Sequence, residues 1–290
     1  QKEYSKILSN ESLKIDNNLQ YLSPKFFQIM NNIKKFISSE GNSTGKILFY
    51  SDFRSDSGSE AFELVLKSNG YEKLDTKNPQ KTKGLRYTFI TGSEDQDQRR
   101  ISRDYFNDKN NKEKKNKFGE YCQIMIISSA GAEGISLTCV RQVHILEPYW
   151  NYVRIDQVFG RAIRMRSHLD LDEDQRDVEQ YLYLSSLPEG ITYDLIYKNL
   201  KDNNTWELPE CDEKNIIQEL SKSSNNDTKS LFDTIITINN DSQSTDLYLF
   251  DVMQKKYNMS LEINSVIKES SLDCIQHTRD DPELNDKCIR

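Results

Sequence analysis

"CQIMIISSAGAEGISL", residues 122–137, is the stretch on which the fold turns. Its first half, "CQIMIISS" (122–129), is built round a short apolar run, the pattern of a strand buried on both faces, as in a parallel sheet. Its second half is a loop of small residues. There Gly131 and Gly134 would let backbone amides and hydroxyls approach a phosphate with no Cβ in the way. Such a loop also serves any tight turn, so its neighbours decide. "KILFYS" (46–51), "RYTFITG" (86–92), "QVHILEP" (142–148) and "EQYLYLSS" (179–186) repeat the strand pattern. Helices are predicted between them. "SPKFFQIMNNIKKFISSEG" (23–41) has Ser23 placed to cap, Pro24 in the first turn and Gly41 to stop it. "SEAFELVLKSNG" (59–70) ends at Gly70, and a polar helix lies near 96–106. Strands alternating with helices predict an α/β fold, a parallel sheet flanked by helices on both faces. Crossovers in such sheets are right-handed and ligands sit at the strand carboxyl ends. Loops starting at Ser51, Thr91, Ser128 and Glu147 should therefore share one functional edge.

The other informative stretch is "IDQVFGRAIRMRSH" (155–168). Read as a helix, it steps by four from Gln157 to Arg161 and by three to Arg164. All three then lie on one face, with Arg154 above and His168 below. The adjoining face of Ile155, Phe159, Ala162 and Ile163 is predicted to meet the core. Almost no acid in the helix is available to pair the arginines. A guanidinium presents a planar fork of donors suited to phosphate oxygens, and burying it unpaired is costly. The row should meet water or an anion.

With 290 residues, 36% of them hydrophobic, the chain can hold one large domain, or one plus an accessory piece. No apolar run approaches the ~20 residues of a membrane span, and no signal peptide is present, so no membrane partner is expected. The start at Gln1 suggests a segment of something longer. Five cysteines without a CxxC pair fit a reducing, intracellular compartment. Cys274, His277 and Cys288, with Cys211, are the candidate metal ligands, but without a close cysteine pair no metal site is expected. The net charge of −7 conceals an asymmetry: residues 1–168 hold 27 Lys and Arg against 20 Asp and Glu, and the remainder 12 against 26. The basic block points to polyanion contact. A lysine-rich loop, "KNNKEKKNK" (109–117), is either a solvated insertion or a phosphate contact. Three regions follow: a flanking segment (1–22), the α/β domain (23–200) and an acidic, partly mobile extension (201–290). Within the last, "SKSSNNDTKS" (221–230) and "INNDSQSTD" (238–246) are polar tracts, and 245–270 looks like one or two amphipathic helices.

In order, the motifs resemble the second RecA-like domain of superfamily 2 helicases and translocases. "ILFYSDF" is similar to motif IV, "SSAGAEGISL" to motif V, and "QVFGRAIR" to motif VI with its Q-x-x-G-R-x-x-R spacing. The resemblance implies that Arg161 and Arg164 are arginine fingers for an ATP seated on a first domain. Gln157 would help order the nucleotide or attacking water. It further implies that Gly134 and Ser136, with Glu133 in a position that varies between branches, lie on the nucleotide side. Ser128, Ser129, Gly131, Ser51 and Thr91 would lie on the nucleic-acid side, with Gly92 a weaker candidate. Beyond motif VI, "RMRSHLDLDEDQRDVEQYLYL" and "STDLYLFDVMQKKYNMSLEINSVIKESSLDC" (244–274) resemble the helicase-like ATPases of large nucleocytoplasmic DNA viruses. These are relatives of poxvirus nucleoside triphosphate phosphohydrolase I and of the early transcription factor small subunit. ATP and Mg²⁺ are then the implied cofactors. Implied partners are DNA, contacted through its backbone, the first RecA-like domain of the same protein, and viral transcription proteins. The expected location is a virion or the cytoplasm of an infected cell.

A complete motor also needs a G-x-x-x-x-G-K-[ST] loop and an acidic magnesium-binding strand end. "GNSTGKI" (41–47) has its glycines one residue too close and precedes a strand, and "DEDQ" (172–175) reads as a surface loop. This chain alone is therefore expected not to hydrolyse ATP. The alternative function is a non-catalytic scaffold, a helicase half that docks transcription proteins. A Rossmann-type metabolic enzyme is disfavoured because no G-x-G-x-x-G follows an early strand.

Overall fold

The computed structural model describes residues 12–55, 58–77, 83–92, 94–108, 116–129, 134–186 and 244–269. In chain order the elements are α1 (Leu19–Leu22), α2 (Pro24–Lys34), β1 (Lys46–Tyr50), α3 (Ser59–Ser68), β2 (Glu72–Lys73), β3 (Arg86–Ile90), α4 (Gln96–Asn107), β4 (Ile124–Ile127), β5 (Val140–Ile145), α5 (Tyr152–Ala162), β6 (Glu179–Leu182) and α6 (Thr245–Glu269). A 3-10 turn occupies Glu173–Gln175. The chain divides into two compact units, Gln1–Leu184 with Val252–Arg290, and Ser185–Asp251. In the second, the Ser185 amide donates to Asp246 Oδ2 at 2.7 Å and its carbonyl accepts from the Ser244 hydroxyl.

In the first unit the strands run in the order β2-β3-β4-β1-β5-β6, every pair parallel. Each predicted strand is present; β2 is the addition. Side-chain parity explains why the central runs are apolar throughout. Ile47, Phe49, Tyr87, Phe89, Ile124 and Ile126 share one face and one core with Phe26, Ile29, Met30 and Ile33 of α2 and Phe62, Val65 and Leu66 of α3. The opposite parity meets α4 and α5. Thr88 Oγ1 donates to Ser102 Oγ at 2.8 Å, and Tyr50 Oη accepts from Arg154 Nε at 3.0 Å. Helices therefore cover both faces of the parallel sheet, as the sequence predicts.

The first helix is shorter than its sequence suggests. Ser23 Oγ accepts from the Phe26 amide at 3.4 Å, as expected of the cap, but α2 ends at Lys34. Phe36 is buried instead of continuing the helix, and Ile37 forms an antiparallel bridge with Ser43. Gly41, with φ +76°, turns that small hairpin rather than stopping a helix. The run 245–270 is a single helix, α6. Lys46 of "GNSTGKI" lies at the amino end of β1, away from the rim where ligands bind such sheets. It is fully buried, with Nζ donating to Phe106 O at 2.7 Å, and burial lowers its pKa to about 8. The candidate metal cysteines and His277, the tracts 221–230 and 238–243, and most of 109–117 lie outside the described residues.

Candidate functional site

Parallel pairing aligns Tyr50 with Ile127 and Ile145, and Ile127 with Ile90. The loops after Tyr50, Ile90, Ile127 and Ile145 thus leave one rim, as predicted. Ser51 is fully buried there, its Oγ 2.8 Å from both Glu147 Oε1 and Phe53 O. Thr91 Oγ1 donates to Glu94 Oε2 at 2.7 Å, and Ser128 is buried with its amide directed to Ile90 O at 3.4 Å. Ser129 is half-buried and Gly92 is exposed. Gly131 and Glu133 lie outside the described residues. Gly134 holds φ +72°, and a Cβ there would meet nothing within 4 Å. Only a residue tolerant of the left-handed region fits such a turn without strain.

The arginine helix is real but displaced from its predicted bounds. Asn151 opens it, its side chain accepting from the Val153 amide at 3.0 Å. It closes at Ala162, because Ile163 (φ −103°, ψ 86°) leaves helical geometry. The reason is the serine of the following turn. Ser167 Oγ donates to Ala162 O at 3.1 Å and accepts from the Arg164 amide at 3.2 Å, so the chain folds back at once. Ile155, Val158 and Ala162 are the buried stripe; Phe159 is half-buried and Ile163 exposed. Gln157 is exposed on α5 and Arg161 half-buried in its last turn, while Arg164 and His168 stand beyond the helix.

That turn brings motifs V and VI together. Arg164 Nε donates to Gly160 O at 3.0 Å, and Arg164 Nη1 donates to Ser136 Oγ. The Leu137 amide donates to Arg161 O at 3.1 Å and the Cys139 amide to Ser167 O at 2.9 Å. His168 bridges Ser167 Oγ and Val140 O, both at 2.7 Å, so its role is to hold the turn. Arg164 and Ser136, 28 residues apart, are thereby in contact.

Arg154 departs from the expected row. The acid absent from its own helix comes from the end of β1: Asp52 Oδ1 lies 2.7 Å from Arg154 Nη2. The guanidinium also packs over the Tyr149 ring at 4.5 Å. Arg154 is therefore a brace between the loops after β1 and β5, not an anion ligand.

Sequence reasoning passed over Glu147 as a side chain. It accepts from Ser51 Oγ and, at 3.2 Å, from the Asp52 amide, and burial pushes its carboxyl up to about 7. A folded-state pKa above the unfolded value favours folding below the unfolded pKa, and that contribution disappears as pH rises through the folded one. Wild type should therefore gain thermal stability relative to Glu147→Gln as pH falls from 8 to 5. A melting-temperature difference that is flat across that range would remove Glu147 as its source.

Residues 28–166 match the helicase conserved C-terminal domain family. Among relatives, "Putative ATP-dependent RNA helicase R563" of Acanthamoeba polyphaga mimivirus is 32% identical over 182 residues, 63% of this chain and 29% of that protein. "Termination factor NPH-I homolog" of African swine fever virus (isolate Tick/South Africa/Pretoriuskop Pr4/1996) is 32% identical over 185 residues, 59% of this chain and 23% of that protein. "Putative helicase 087L" of Invertebrate iridescent virus 3 is 29% identical over 169 residues, 57% and 16% respectively. The matches span under a third of each relative's length.

Proposed function

We propose that this chain, whose residues 28–166 are a helicase conserved C-terminal domain, is the second motor domain of a viral nucleic-acid-dependent ATPase. In this role Arg161 and Arg164 reach the γ-phosphate of an ATP·Mg²⁺ held chiefly by a first RecA-like domain. Gln157 orders the nucleotide or the attacking water. Gly134, Ser136 and Glu133 line the nucleotide side. Ser51, Thr91, Ser128, Ser129 and Gly131 lie along the nucleic-acid path, the buried ones acting through the backbone they position. The observation that carries this reading is the contact between Arg164 and Ser136, which joins the two motifs in space.

Backbone contacts fix position without reading bases, so movement along the strand is largely sequence-independent. The nucleic acid is DNA and the setting viral transcription, in a virion or infected cytoplasm. The termination-factor name of one relative supports transcription, whereas the RNA-helicase name of another makes RNA the competing substrate.

The test is ATP turnover by the full-length protein with no nucleic acid, with single- and double-stranded DNA, and with RNA. Stimulation by DNA is expected, while Gln1–Arg290 alone shows no turnover. Hydrolysis by this chain unaided would overturn the half-motor assignment. Stimulation by RNA alone would replace DNA as substrate.

A further inference from the structure

The polar helix α4 has no part in the proposed function so far, yet it lines a cavity of about 320 Å³ beside the rim. Arg99, Arg100 and Arg103 stand along one wall, with Gly134 and Ile135 among the other lining residues and Ile90 adding apolar surface. Steps of three and four place Arg103 beside Arg100 and Arg99 on one helix face. Three guanidiniums face one lining carboxylate, Asp97, which lies 3.3 Å from Arg100 with both side chains largely exposed. An exposed pair of that kind is worth little and yields readily to a competing anion. Arg99 Nε is occupied by Glu94 O at 2.9 Å, which fixes the start of the helix. Arg103 lies 3.1 Å from Asp104, a carboxylate outside the cavity lining.

The walls are tied together. Asn107, the last residue of α4, donates through Nδ2 to Ser136 O at 2.8 Å and accepts from the Thr138 amide at 3.0 Å. Thr88 binds Ser102 from the sheet side. The segment 134–138 is thus fastened to α4 on one side and to Arg164, through Ser136, on the other.

We infer that Arg100 and Arg103 form a phosphate-binding site that takes a phosphodiester of the bound nucleic-acid strand, outside the motifs that carry the resemblance. This rests on the proposed function for the identity of the polymer. The cavity's net positive lining selects an anion, the Gly134 wall leaves room for one, and Ile90 and Ile135 suit a sugar face. The tie through Ser136 places that site one residue contact from Arg164, so occupancy on α4 is felt at the nucleotide side.

The experiment measures binding of a fluorescent oligonucleotide to the full-length protein across a salt series, for wild type, Arg100→Gln and Arg100→Gln/Arg103→Gln. Each lost phosphate contact lowers the slope of log K against log salt by about 1, so the double variant should lose about 2 with affinity reduced about tenfold or more at low salt. Arg100→Gln alone, at an exposed position, should lose about 1 and guards against misfolding of the double variant. Unchanged slopes in both variants overturn the site. A parallel arm titrates inorganic phosphate against the oligonucleotide. If the variants lose only phosphate competition and keep the oligonucleotide slope, the site takes free anions and the phosphodiester assignment falls. If wild type binds no nucleic acid, the proposed function fails first. If wild type binds and is stimulated but the slopes match, only the α4 site fails.

Discussion

Arg161→Ala in the full-length protein is expected to lower nucleic-acid-stimulated ATP turnover by about 10³-fold or more. An arginine finger stabilises charge that develops on the transferring phosphoryl group, so its loss falls on kcat rather than on substrate affinity. The substitution leaves the backbone link of this residue to motif V in place. Arg161 occupies the last turn of α5, and its link to motif V, the bond from the Leu137 amide, is made by its backbone carbonyl. Alanine keeps that carbonyl and is the strongest helix former. Melting temperature should therefore stay close to wild type. Arg161→Lys keeps the charge but not the planar fork, and should remain well below wild type. Turnover at the wild-type level in a normally folded Arg161→Ala protein would remove the finger assignment and, with it, the main reason for calling the chain half a motor.

The strands were legible because parallel strands buried on both faces leave a plain trace: a short apolar run punctuated by small or turn-forming residues. Lys46–Tyr50 and Ile124–Ile127 are buried at every position, and both stood out as runs. Glu72–Lys73 is exposed and two residues long; it exists only by pairing with Arg86 and Tyr87, and no local pattern announces that. Helix ends were harder. The arginine periodicity ran on past Ala162 in sequence, but Ser167 reaches back to the Ala162 carbonyl and ends the helix, a contact that spacing alone does not reveal. The same holds for charge pairing. Arg154 looked unpartnered because its helix supplies almost no acid, yet Asp52 arrives from 102 positions upstream. The motifs single out candidate residues, while the contacts among residues at the site, Arg164 with Ser136 and Glu147 with Ser51, belong to the tertiary fold.

Phe49→Ala should cost about 3–5 kcal/mol of stability, the range for deleting a fully buried phenyl group and leaving a cavity. Phe49 is fully buried in the central strand, where β4 and β5 pin the backbone on both sides and limit collapse into the void. Its ring stacks on Phe62 at 4.0 Å between centroids, and Phe62 in turn lies 5.6 Å from Phe26. The three rings join β1 to α3 and α2, so truncating the innermost also forfeits an aromatic pair worth about 0.5–1.5 kcal/mol. Against a total stability of roughly 5–15 kcal/mol for a domain, this is a large fraction. Phe53 provides the internal control: the same residue type, four positions on, but 59% exposed. Phe53→Ala should shift stability by no more than about 0.5 kcal/mol. Denaturant titration of both variants reads the difference as a shift in midpoint at constant slope. A Phe49→Ala cost below about 1 kcal/mol would mean that the α2–α3 face repacks freely, against the close packing expected of such a core.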